Sequence, residues 1–67
     1  MKQVTTIQFQ DAESQDEGVA IVRADERSVG VCLSLKKDGD LEVFMSHESA
    51  RALIAALQEA VSLESKR

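Results

Sequence analysis

With 12 acidic and 8 basic side chains in 67 residues, the chain carries a formal charge of −4 and no run of Lys or Arg that could track a phosphate backbone, which disfavours nucleic-acid binding. One cysteine, Cys32, and one histidine, His47, exclude an intramolecular disulfide and a Cys-rich zinc site built within one chain. The length predicts one domain, residues 1–67, burying only roughly 60% of its unfolded surface, and oligomerisation is the aid to stability left available.

Phe9 and Phe44 are the only aromatics, so a base-stacking platform is poorly supplied. The N-terminal MKQVTTIQFQDAES holds no apolar segment of signal-peptide length, and no stretch approaches the roughly 18 apolar residues of a membrane span. A cytoplasmic protein with a reduced thiol and no membrane association is the expectation.

Residues 3–10, QVTTIQFQ, are rich in β-branched side chains, and Thr5, Ile7 and Phe9 fall on one side of a period-2 pattern, which predicts a first strand. DAESQDE, residues 11–17, carries four acids, Asp11, Glu13, Asp16 and Glu17, and no large apolar side chain, the composition of a mobile loop. GVAIVRA, residues 18–24, is almost continuously apolar, as in a strand with both faces at least partly covered, and DERS makes a turn. From Ser28 onward, Val29, Val31, Leu33 and Leu35 alternate with Gly30, Cys32, Ser34 and Lys36, a strand with one clearly apolar face.

The next turn sets the register. A two-residue Asp38-Gly39 loop would oppose Leu35 to Glu42 and Leu33 to Phe44, mixing charged and apolar groups on one face. A three-residue loop, Lys37-Asp38-Gly39, instead predicts the pairs Leu35–Leu41, Leu33–Val43 and Val31–Met45, with Gly39 at the left-handed position of a G1 bulge. On the opposite face this register pairs Lys36 with Asp40, Ser34 with Glu42 and Cys32 with Phe44. The last pair does not suit water.

Ser46 is a good N-cap, and Glu48 in the first turn complements the helix dipole. A helix is predicted from about His47 to Leu63, with Ala50, Leu53, Ile54, Leu57, Ala60 and Val61 on one stripe. Lys66 and Arg67 suit its negative end. Ala52 and Ala56, four apart beside that stripe, form a flank of small residues where another element could approach closely. Alanine is also simply the best helix former.

The order is ββββα: an α+β fold, most simply a four-stranded antiparallel meander followed by one C-terminal amphipathic helix packed across one sheet face. One helix covers one face only. The second face then keeps Cys32, Phe44 and a residue of strand two, Val22 or Ile21 according to the turn, as a contiguous apolar cluster.

Candidate chemistry is sparse. A histidine activates a cysteine when it stands within hydrogen-bond reach, but the register places His47 past a strand end without bringing it to Cys32. A packed cysteine and a solvent-facing first-turn histidine are the simpler reading. The acids of residues 11–17 lack the ligand spacing of a calcium loop. Asp38, Asp40 and Glu42 are accounted for by turn chemistry and by facing Lys36 and Ser34. The glycines at 18, 30 and 39 are each isolated and build no phosphate loop, though Gly30 marks either a bulge or a place where another backbone comes close.

These readings point to a non-enzymatic binding or structural module, with no cofactor and no metal, that homodimerises through the second face or an edge of its sheet. Cys32, Phe44, Val22, Ala52 and Ala56 are the expected interface. The alternative is a monomeric acidic adaptor or inhibitor, antitoxin-, immunity- or phage-inhibitor-like in size and charge, that offers that face or the acidic loop Asp11, Glu13, Asp16 and Glu17 to another protein.

Overall fold

The computed structural model of the chain describes residues 2–65. Four strands, β1 (Lys2–Gln10), β2 (Glu17–Ala24), β3 (Val29–Leu35) and β4 (Gly39–Met45), precede one helix, α1 (His47–Ser65). The strands form an antiparallel sheet in the order β1-β2-β3-β4, so each pairs with its neighbour in the chain and β1 lies beside β2. This is the ββββα meander that the period-2 segments and the following helical period predict. Lys66 and Arg67, expected at the negative end of the helix, lie outside the described residues.

Backbone register sorts the side chains into two faces. Phe9 opposes Gly18, Ile7 opposes Ala20 and Thr5 opposes Val22. Gly18, Ala20 and Val22 in turn oppose Leu35, Leu33 and Val31. Leu33 and Val31 then oppose Leu41 and Val43, with Val29 opposite Met45. Alternation along each strand makes this one continuous apolar face. Val4 is the extra residue of an irregularity between Gln3 and Thr5, beyond which the β1 pairing continues with its parity changed.

The β3–β4 register differs by two residues from the one the sequence predicts. Leu35 pairs with Gly39 and Leu33 with Leu41, so residues 36–38 form the turn. Gly39 keeps its left-handed conformation, with φ of +89°. The cause lies across the sheet. The Lys36 amide donates to the Glu17 carbonyl at 3.0 Å, and the Lys37 amide donates to the Asp16 carboxylate at 2.8 Å. Both amides are thus drawn toward β2 and the acidic loop, away from β4. Because the shift is by two, no side chain changes face, but every cross-strand partner does.

The loop between β1 and β2 is tied together by its own short polar groups. Asp11 accepts from the Ser14 amide and the Ser14 hydroxyl, each at 2.8 Å, while its carbonyl accepts from the Gln15 amide at 2.8 Å. Gln15 takes a left-handed φ of 64°, and the Asp11 amide donates back to the Asp16 carbonyl at 2.9 Å. Short polar side chains that bond their own backbone hold this turn without any apolar burial.

Helix α1 follows β4 after a single residue. The Ser46 hydroxyl accepts from the Ser49 amide at 3.1 Å, the capping role its sequence position predicts. The His47 Nε2 donates to the Asp25 carbonyl at 3.1 Å, tying the first turn to the β2–β3 connection. Beyond this point the helix leaves the sheet. Ala50 is half-buried, and every described side chain from Arg51 to Leu63 is exposed. The expected packing of the helix across one sheet face is therefore not what the chain adopts: only neighbouring strands pack substantially against each other.

Candidate functional site

The most conspicuous site among the described residues is apolar and has two parts. Its first part is the sheet face of Ile7, Phe9, Leu33, Leu35, Leu41 and Val43, on which Leu41 is 60% exposed. Its second part is the helical stripe of Leu53, Ile54 and Leu57, with Leu57 58% exposed. No apolar side chain is buried among the described residues. Sequence reasoning assigned these residues to a core closed by the helix, and so missed them as surface. The available signal was the connection itself: between Met45 and His47 only Ser46 remains to turn a capped helix back over the sheet.

The opposite face has a different chemistry. Arg23 and Glu42 form an ion pair, Ser34 donates to the Asp40 carboxylate, and Thr6, Gln8 and Gln10 project from β1 on the same side. Phe44 pairs with Gly30 rather than with Cys32, whose partners are Ile21 and Glu42. A methyl group placed on Gly30 would lie 3.0 Å from Phe44 Cε1, so the phenylalanine ring lies over the glycine. Gly30 thus marks the close approach of a side chain, and its pairing with both neighbours is regular. Covering a bare strand glycine by a cross-strand aromatic ring is a known device for pinning register. Phe9 stands in the same relation to Gly18 on the first face.

The expected interface therefore divides. Cys32 and Phe44 share the second face, with Ile21 as the strand-two residue beside them. Val22 belongs to the first face, opposite Val31, and is separated from them by the sheet. The reason is the parity of the β2–β3 turn, which the sequence left open. Ala52 and Ala56 are exposed on the helix, which packs substantially against no strand.

Of the four loop acids, Asp16 is turned inward, 8% exposed, with its carboxylate on the Lys37 amide. Asp11 is engaged by Ser14, whose amide first and hydroxyl second hold its carboxyl below the ordinary value of 3.8. Glu17 faces Lys36 at 3.8 Å in an exposed pair. As an acidic docking patch the loop is depleted, since two of its carboxylates serve the fold.

His47 and Cys32 share no hydrogen bond: the imidazole is at the Asp25 carbonyl, and Cys32 lies within β3 between Ile21 and Glu42. Among the described residues, three or more His, Cys, Asp or Glu side chains converge nowhere as metal ligands. No helix of the described residues is long and apolar enough to cross a membrane. Compared with known proteins, the chain matches no family model, no curated protein and no solved structure.

Proposed function

We propose that this chain is a non-enzymatic binding or structural module that works as a homodimer, joined through its exposed apolar surfaces. One observation carries the reading. The accessible surface is 5589 Å², against about 4,200 Å² for a folded monomer of this mass. The excess, about 1,400 Å² per chain, falls in the range that obligate partners bury against each other. Two-fold association covers the same patch on both chains and supplies the core that each lacks.

The first face, rather than the Phe44 side, is the surface this reading uses. It is apolar across all four strands, whereas the second face carries the Arg23–Glu42 ion pair and the Ser34–Asp40 bond. The same reading sets the module in the cytoplasm, where a lone thiol such as Cys32 stays reduced. It takes no cofactor and turns over no substrate.

Paired variants test it by light scattering. Leu41→Asp is expected to raise the dimer dissociation constant on the order of 30-fold or more, the cost of losing one anchoring apolar side chain from the shared interface. Phe44→Asp is expected to change it far less. A wild type that stays monomeric at high concentration contradicts the reading and leaves the adaptor alternative, in which the same surface meets a different protein.

A further inference from the structure

We infer that the two chains of this dimer exchange helices, each laying the Leu53, Ile54 and Leu57 stripe of α1 across the first sheet face of the other. The inference rests on the self-association proposed above and specifies its geometry. Three observations on the structure carry it.

The helix is directed away from its own sheet by fixed contacts. Ser46 alone joins Met45 to His47, its hydroxyl caps the helix, and the His47 ring is held at the Asp25 carbonyl. Folding α1 back over its own strands would require turning at the one residue before the helix and giving up the His47 contact with the Asp25 carbonyl. A second copy brings a helix to the face without disturbing that contact, as in reciprocal exchange of an element between protomers.

The two exposed surfaces also match in kind and size. From Ala50 to Ala60 the stripe runs about 15 Å, and a face of four strands spans about 14 Å between its outer strands. Sheet faces packed against each other would leave the helical stripe in water, and helices packed against each other would leave the sheet face bare. Exchange covers both in one symmetric interface, consistent with the excess of about 1,400 Å² on each chain.

The overall dimensions agree with a detached helix. The radius of gyration is 13.4 Å, where a compact chain of this length has about 11 Å. An extended protomer whose core is shared with a partner has this shape.

The test uses the wild-type chain. Carbon-13-labelled and unlabelled protein are unfolded together, refolded as an equimolar mixture, and read by isotope-filtered nuclear Overhauser spectroscopy, with the mass measured on the same sample. Exchange predicts a two-chain mass and chain-to-chain cross-peaks from the methyls of Leu53, Ile54 and Leu57 to those of Leu33, Leu41 and Val43. A two-chain mass with chain-to-chain cross-peaks confined to helix–helix or sheet–sheet pairs overturns the exchange and leaves the dimer standing. Helix–sheet cross-peaks found only within a chain do the same. A one-chain mass overturns both.

Discussion

Asp11 and Asp16 differ from the other acids of their loop because each has backbone donors aimed at it. The lowered pKa of Asp11 means that its charged form is favoured in the fold, so its contribution is present above its ordinary value of 3.8 and is lost as pH falls through the lowered folded value. Ser14→Ala removes the hydroxyl but keeps the amide, the larger cause. The Asp11 pKa is therefore expected to rise only part of the way toward 3.8, read by NMR titration of its carboxyl carbon, and an unchanged value would contradict the assignment. The two covered glycines make a second residue-scale test. A methyl at Gly18 would stand 2.6 Å from Phe9 Cζ and 2.8 Å from Leu35 Cδ2, closer than the 3.0 Å approach of Phe44 at Gly30. Phe44 is also 56% exposed and has room to swing aside. Gly18→Ala is expected to cost on the order of 1 kcal/mol by overpacking and Gly30→Ala to be close to neutral, both by urea denaturation.

At the scale of elements, the sequence makes the strands and the helix legible while hiding how they sit together. The alternation of Val29, Val31, Leu33 and Leu35 identifies a strand and its apolar face, and Ser46 marks the helix start; both follow from local periodicity and capping. The β3–β4 register is less accessible, because it depends on Asp16, 21 residues away from the Lys37 amide it accepts. A turn read from its own three residues contains no trace of that bond. Asp16→Ala is accordingly expected to destabilise the fold by about 1–3 kcal/mol, leaving the Lys37 amide without its acceptor. Amide exchange should quicken first at residues 36–38, and an exchange pattern unchanged there would contradict this account of the turn. The chain-order strand pairing follows from short connections. The assignment of Val22 to the Phe44 side failed because neighbouring residues on a strand face opposite ways, and one residue of turn length decides between them.

For the whole molecule, amphipathic pattern says which surfaces avoid water and leaves open what covers them. The stripe of Leu53, Ile54 and Leu57 and the alternating strands read as two halves of one core, and in the isolated chain those halves do not pack substantially against each other. A sheet clothed on neither face and a helix held by its first turn lack the burial that offsets chain entropy. Stability and assembly are on this account the same event, so thermal unfolding should depend on protein concentration. Sedimentation equilibrium of the wild-type chain at micromolar concentration tests the shared core most directly. A mass of twice 7.3 kDa is expected, with dissociation and unfolding together on dilution, whereas a well-folded species of 7.3 kDa would show that one chain suffices for the fold.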